Sequence, residues 1–226
     1  MKKESPNPFE YATDTVCGID YSLRTPALCV IPATSLNDTI VPFDSCEFYY
    51  LTQVKRDVID HKNVHGMLIG DWDSPETRYE TLAEWVLDVL KKHECKTVGI
   101  EDYAFRASNQ SALTQLAENC GLLKYFLHQN AIDYSLYSPS ALKKFATGNG
   151  RSLKAQVYDA WLKDTKVCLQ SIWGRDPDAK PRSPVTDICD AYYCACSHRI
   201  DMVQTNYAYA KGKERKDERD IGHTSS

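Results

Sequence analysis

Two short apolar segments that each end in a carboxylate constrain the fold of this 226-residue chain more than any other feature. One contains Gly18-Ile19-Asp20, and the other, much later in the chain, contains Gly99-Ile100-Glu101. Apolar runs of this length are typical of strands in a sheet that is covered on both faces. Because an unpaired carboxylate inside such a sheet would be very costly, we expect both acids at its open edge.

A second pair of acids follows Pro184. Asp187 and Asp190 lie in a segment that predicts a helix, and residues three positions apart share a helix face, so we expect both carboxylates to point the same way. The alternative is that they are only an N-cap and a first-turn acid, which the helix dipole favours. The two strand-end acids elsewhere in the chain favour the first interpretation.

Together, the four acids predict a metal site. Carboxylates at close quarters resist ionisation unless a cation stands between them. Oxygen ligands without histidine or cysteine favour Mg²⁺ or Mn²⁺ over zinc. Two such ions can activate a water molecule and stabilise the leaving oxygen of a phosphodiester. The residues Asp20, Glu101, Asp187 and Asp190 therefore predict a metal-dependent nuclease.

Composition limits the other possibilities. A net charge of −4 excludes a generally basic surface, so any contact with DNA must come from a local patch. The sequence has no stretch near the ~20 apolar residues of a membrane span and no signal-peptide core at its start, which predicts a cytoplasmic protein. Nine cysteines without a Cys-x-x-Cys pair are more typical of buried reduced thiols than of disulfides or zinc ligands.

The order of predicted elements indicates an α/β fold. An antiparallel meander of three strands precedes two strands that alternate with helices, so we expect a mixed five-stranded sheet flanked by helices. We predict an arm over residues 1–14, a nuclease domain over 15–203 and, within it, an insertion at 52–73 that forms a loop or extended hairpin. The tail 204–226 has no apolar face and is predicted to be disordered.

A basic segment covers residues 139–166, where six basic and two acidic residues give a local charge of +4. Gly148 and Gly150 would let the backbone approach a ligand, and the flanking basic residues would neutralise phosphates. The alternative is a solvated helix face with a helix-breaking glycine pair. The candidate DNA contacts in this segment are Lys143, Lys144, Arg151 and Lys154.

The order of these motifs resembles RuvC-type Holliday-junction resolvases, which belong to the RNase H-like, retroviral integrase superfamily. The resemblance covers residues 16–198. It is based on Gly18-Ile19-Asp20, Gly99-Ile100-Glu101, Pro139-x-x-x-Lys143, Thr147-Gly148-Asn149-Gly150-x-x-x-Lys154-x-Gln156-Val157 and Asp187-x-x-Asp190-Ala191.

This resemblance implies an RNase H-like fold, a homodimer, and Mg²⁺-dependent nicking of opposed strands at a four-way DNA junction, with Mn²⁺ as a substitute and two ions in each active site. It assigns the four acids to metal binding and catalysis. It also places Lys143 and Lys154 near the cleaved phosphate, where Lys154 would stabilise charge in the transition state.

The chain also departs from the family pattern. The loop with Tyr103, Phe105 and Arg106 differs by a residue from the bacterial one, in which an aromatic side chain probes the junction centre. We expect Phe105 or Tyr103 to take that role and Arg106 to contact DNA. The longer span between the first two acids and the extended ends are more typical of a virus-encoded or divergent relative, which would act in the host cytoplasm.

Three other functions stay open at this stage. The first is a broader nuclease for flaps, forks, branched DNA or RNA–DNA hybrids. The second is a noncatalytic junction binder, although such a protein has little reason to gather negative charge where phosphate approaches. The third is a small-molecule kinase of the actin-like superfamily, for which the length supplies no second lobe.

Overall fold

The computed structural model describes residues 14–33, 39–102 and 110–222. Its sheet consists of β1 (Val16–Asp20), β2 (Ala27–Ile31), β3 (Glu47–Thr52), β4 (Asp60–His61), β5 (Val64–Leu68), β6 (Thr97–Glu101) and β7 (Asp133–Tyr137). The strand order is β4-β5-β3-β2-β1-β6-β7. Strands β1 to β3 pair antiparallel and β1, β6 and β7 pair parallel, which confirms the predicted meander and the parallel half of the sheet.

Six helices lie among the described residues: α1 (Pro75–Lys92), α2 (Gln110–Gln129), α3 (Pro139–Thr147), α4 (Lys154–Thr165), α5 (Leu169–Ile172) and α6 (Val185–Gly222). Helix α1 follows Ser74, whose hydroxyl accepts a hydrogen bond from the backbone N–H of Thr77, and α3 follows Ser138 in the same way. No helix in the described part of the chain is long and apolar enough to span a membrane.

The alternation of side chains along the strands divides the core into two layers. On one face, β2 and β3 pack against α4 and α6 through large aromatic residues such as Phe48, Trp161 and Tyr192. On the other face, Ile19 and Leu28 pack against α1 and α2. All nine cysteines lie in the described residues and are free thiols, and eight of them are buried, as the sequence predicts. The sheet is therefore covered on both faces, as expected from its apolar strands.

Helix α6 lies directly on the backbone of β1 and β6. Gly18 and Gly99 are paired in register on these neighbouring strands. A Cβ atom on Gly18 would lie 2.1 Å from the backbone nitrogen of Ala195, and one on Gly99 would lie 2.8 Å from Cβ of His198. Because side chains two positions apart share a face of a strand, the acids that follow each glycine lie on the α6 side as well.

The insertion at 52–73 differs from the predicted loop or hairpin by joining the sheet. Its two short strands form a hairpin, and β5 pairs parallel with β3, so the sheet has two strands more than the predicted five. These strands show no apolar alternation, since β4 is exposed and β5 becomes exposed along its length. Their position is fixed by backbone pairing with the edge of β3, which no sequence pattern records.

The final helix also continues beyond the predicted limit. The backbone of α6 is helical to Gly222, through most of the segment for which we predicted disorder. Nine of the nineteen residues 204–222 are alanine, lysine, glutamate or arginine, which all have high helix propensity. The proposed division into arm, domain and tail stays a prediction.

We predict that Gly18→Ala destabilises the protein, because its added methyl group would collide with helix backbone that cannot move independently of the core. Forced overpacking of this kind should lower the free energy of unfolding by about 3 kcal/mol. Gly121→Ala is the matched control, since nothing lies within 4 Å of its Cβ position on α2 and alanine favours a helix. Urea unfolding of the two variants tests this, and equal stabilities would contradict the close contact.

Candidate metal and catalytic site

Three carboxylates from separate elements meet at one end of the parallel strands. Asp20 ends β1, Glu101 ends β6, and Asp190 lies in the second turn of α6. One oxygen of each lies within 4.8 Å of the others, and all three side chains are half-buried. This is a set of hard oxygen donors of the kind that suits Mg²⁺ or Mn²⁺. The structure therefore brings together three of the four predicted acids in an arrangement that could hold a divalent cation.

The electrostatics of the cluster also fit a cation. Burial, and then the charges of Glu101, Asp187 and Asp190, raise the pKa of Asp20 well above its ordinary value. Burial followed by the charge of Asp190 raises the pKa of Glu101 to about 8. Burial also raises the pKa of Asp190, although Lys154 partly offsets it. A bound cation would reverse these shifts, because it favours the ionised form of each acid.

Asp187 lies beside this cluster with its oxygens already engaged. Its buried carboxylate accepts hydrogen bonds from the hydroxyls of Ser183 and Thr186, the latter at 3.1 Å, and from Lys154 Nζ at 3.4 Å. It is not one of the three acids whose oxygens converge, so its metal role stays a prediction. No sequence pattern indicates these roles of Ser183 and Thr186, because hydroxyl residues are common at the start of a helix.

Lys154 is positioned against the acids by the first turn of α4. Its Nζ lies 3.2 Å from Asp190 Oδ2 as well as near Asp187. Burial alone would lower the pKa of Lys154, but the charges of Asp190, Asp187 and Asp20 outweigh burial and raise it above its ordinary value. The ammonium group therefore stays protonated at neutral pH. Among the described residues, Lys154 is the basic residue that forms ion pairs with these carboxylates.

Asp20, Glu101 and Asp190 line a cleft of about 230 Å³, together with Lys154 and with Lys143 on α3. Two larger hollows, of about 610 and 590 Å³, lie elsewhere, one between α1 and α2 and the other near the opposite ends of β1 and β6. Neither is lined by any of the four acids. We therefore assign the smaller cleft as the functional site on the basis of its chemistry, since size alone does not identify a catalytic site.

The turn between α3 and α4 sets the position of Lys154. Gly148 ends α3 with a φ of 79°, and a Cβ on Gly150 would lie 2.8 Å from the carbonyl oxygen of Ser140. The side chain of Asn149 accepts a hydrogen bond from the backbone of Arg151 at 3.0 Å, which closes the turn. Both glycines thus have a structural role, which is the alternative that the sequence left open.

The other predicted DNA contacts are distributed around this cleft or lie outside the described residues. Lys143 is half-buried in the cleft wall, whereas Lys144 and Arg151 are exposed. Phe105 and Arg106, like Tyr103, lie outside the described residues, so their roles stay predictions.

We predict that the metal-free protein loses stability as the pH rises. The pKa of Glu101 is raised in the folded state, from 4.5 to about 8, so the folded protein holds a proton that the unfolded chain releases. This contribution to stability is fully present below pH ~4.5 and is lost as the pH rises through ~8. Above that pH, in the presence of chelator, Glu101→Gln removes this negative charge from the cluster and should stabilise the protein. Each kcal/mol of added stability raises the unfolding temperature by about 2–4 °C, so we expect a rise of roughly 5 °C.

Thermal unfolding across this pH range, with and without Mn²⁺, measures the effect. The exposed Glu80 of α1 supplies the control variant Glu80→Gln, which should follow the unmodified protein at every pH. A Glu101→Gln variant with the same pH dependence as the unmodified protein would contradict the raised pKa.

Comparison with known proteins agrees with this geometry. A family model described as crossover junction endodeoxyribonuclease RuvC matches residues 51–166, just over half of the chain. A RuvC of Sulfurovum sp. is 32% identical over 123 residues, covering 54% of this chain and 69% of the relative. A RuvC of Helicobacter hepaticus is 30% identical over 131 residues, covering 58% of this chain and 63% of the relative. The matched regions thus span about two thirds of these relatives.

The fold has a counterpart among solved structures. The Thermus thermophilus RuvC structure in complex with a Holliday junction substrate has a TM-score of 0.57 and 16% identity, and the likeness covers 85% of this chain and 97% of that one. This confirms the RNase H-like fold. The region matched by the family model contains Glu101, Lys143 and Lys154, while Asp20 and Asp190 join Glu101 through the geometry of the site. On this evidence the chain belongs to the RuvC family of crossover junction endodeoxyribonucleases.

Proposed function

We propose that this protein is a metal-dependent endonuclease that resolves four-way (Holliday) DNA junctions by paired nicks, in DNA recombination and repair. The observation that most supports this is the convergence of Asp20, Glu101 and Asp190 within 4.8 Å of one another, beside Lys154. The relatives from Sulfurovum and Helicobacter are named crossover junction endodeoxyribonucleases, and the Thermus structure contains a junction substrate. Membership of their family makes a junction the best-supported substrate.

The metal in this proposal is Mg²⁺, with Mn²⁺ as a substitute and two ions in each site. Asp20, Glu101 and Asp190 would hold them, and Asp187 would assist from beside the cluster. When bound, such ions supply an activated water and stabilise the leaving oxygen of the phosphodiester. Without a cation, the clustered acids repel both one another and the incoming phosphate, so the proposed reaction depends on the metal.

Lys154 has the second chemical role. Its protonated ammonium lies 3.2 Å from Asp190 and 3.4 Å from Asp187, at the edge of the cleft. A phosphate that enters the cleft would meet this positive charge, which then stabilises the negative charge that develops in the transition state. The carboxylates keep the lysine both charged and oriented before the substrate arrives.

DNA would reach the site over the basic residues of α3 and the turn after it. Lys143 lines the cleft, and Lys144 and Arg151 are exposed, so they can neutralise phosphates although the chain as a whole is acidic. We propose that Phe105 or Tyr103 probes the junction centre and that Arg106 contacts DNA.

Paired nicks in opposed strands need two active sites. Among the described residues, one chain offers a single carboxylate cluster of this kind. A four-way junction has approximate two-fold symmetry, and a two-fold dimer would present two identical sites to it. We therefore propose that the active form is a homodimer.

We predict that the purified protein, with Mg²⁺, introduces symmetric nicks into a four-way junction and leaves a flap, a linear duplex and an RNA–DNA hybrid largely intact. Asp190→Asn removes one charge from the cluster and should reduce cleavage by roughly 10²-fold or more, as expected when a group that acts on the transition state is lost. Binding to the junction should persist in this variant. Gel assays of cleavage and of binding, at equal substrate concentrations, measure both effects.

Asp159→Asn is the control variant, since Asp159 is exposed on α4 and is not among the residues that line the cleft. It should cut at the unmodified rate. Comparable cutting of all four substrates would indicate a broader nuclease, and junction binding by the unmodified protein without any cleavage would indicate a noncatalytic binder. Normal cleavage by Asp190→Asn would contradict the site itself.

A further inference from the structure

A largely buried ion pair joins the insertion at 52–73 to the segment that precedes α6. Arg175 Nη2 lies 2.8 Å from Asp57 Oδ1, and the two side chains are only 11% and 13% exposed. The carbonyl oxygen of Asp57 also accepts hydrogen bonds from the hydroxyl of Tyr50 at 2.6 Å and from the indole N–H of Trp173 at 2.8 Å. Asp57 is therefore held through both its backbone and its side chain.

Arg175 continues this connection towards the carboxylate site. Its Nη1 donates to the carbonyl oxygen of Ser183 at 3.1 Å and to that of Arg182 at 3.3 Å. Ser183 is the residue whose hydroxyl donates to Asp187, and the same hydroxyl lies 3.4 Å from that of Thr25 in the β1–β2 connection. Two steps of contact thus lead from Arg175 to an acid of the proposed active site.

Stability alone is a weak explanation for this ion pair. A buried pair of charges often contributes no more than apolar side chains of similar size, because both charges lose their hydration. What the pair does provide is a fixed direction for the guanidinium group, whose second nitrogen then holds the backbone just before α6. The position of the Asp187 carboxylate depends on that backbone, because the backbone carries Ser183. The other partners of Asp187 are Thr186 in α6 itself and Lys154 at the start of α4.

We infer that Arg175 is a positioning residue for the carboxylate site. Paired with Asp57, it fixes Ser183 against Asp187, and Asp187 in turn holds Lys154 beside Asp190. The insertion is then part of the support of the active site as well as an extension of the sheet. The inference rests on the proposed function only in taking this cluster as the site where metal and DNA bind.

The test measures Mn²⁺ affinity by calorimetry on the DNA-free protein, alongside the rate of junction cleavage. Because the proposed function has Asp187 assist the metal from beside the cluster, Arg175→Met should weaken Mn²⁺ binding by roughly 10-fold or more, the range found when residues that orient metal ligands are removed. Ser183→Ala should do the same, and Ser183→Thr, which keeps the hydroxyl, should restore the affinity. Because Arg175 acts through Ser183, the two effects should not add. The double variant should bind Mn²⁺ as tightly as the single variant with the lower affinity.

Two further variants separate positioning from folding. Arg175→Met leaves Asp57 buried without its partner, which can unfold the protein, so Asp57→Asn combined with Arg175→Met removes both charges. This double variant should fold, and its Mn²⁺ affinity should stay below that of the unmodified protein. Arg182→Met is the matched control, because Arg182 is exposed and offers Arg175 only its backbone carbonyl.

Unchanged Mn²⁺ affinity in folded variants that lack Arg175, or fully additive effects of Arg175→Met and Ser183→Ala, would overturn the inference. A failure of the unmodified protein to cut junctions would instead contradict the proposed function. The Mn²⁺ titrations would still decide the role of Arg175 in that case.

Discussion

The contact between α6 and the backbone of two neighbouring strands is the constraint on which the rest of this structure depends. Gly18 and Gly99 lie side by side, and each precedes an acid by two residues. Since neither glycine has a side chain, α6 approaches the sheet closely enough for Asp190 to meet Asp20 and Glu101. A larger residue at either position would separate the helix from the strands and the acids from one another. The packing of the core and the chemistry of the site therefore share one cause.

The site also illustrates how this fold tolerates concentrated negative charge. Asp20 and Glu101 emerge at the ends of their strands, where the chain leaves the apolar layers, and Asp190 joins them from α6. Lys154 supplies a positive charge beside them. Their raised pKa values mark an arrangement that is unfavourable for the protein alone and favourable with a cation. Asp187 differs from the other three because it is satisfied by protein donors, which suits an acid that positions Lys154.

Much of the fold and the acids of the candidate site could be predicted from the sequence, because both are encoded locally. The apolar runs that end in Asp20 and Glu101 indicate strands and an edge, and the spacing of Asp187 and Asp190 indicates a shared helix face. The addition of the insertion's hairpin to the sheet was not predictable, since backbone pairing with β3 fixes it. The contacts of Arg175 with Asp57 and Ser183 were equally hidden, because they join residues whose proximity exists only after folding.

We propose that three acids brought together by α6 share a divalent cation. Anomalous diffraction from crystals soaked in Mn²⁺ tests this most directly, because it locates the metal without reference to activity. We expect a strong anomalous peak within coordination distance of oxygens from Asp20, Glu101 and Asp190, about 2 Å from each, and the loss of that peak in Asp190→Asn. A protein that bound Mn²⁺ only elsewhere, or left these three carboxylates without a peak, would contradict it.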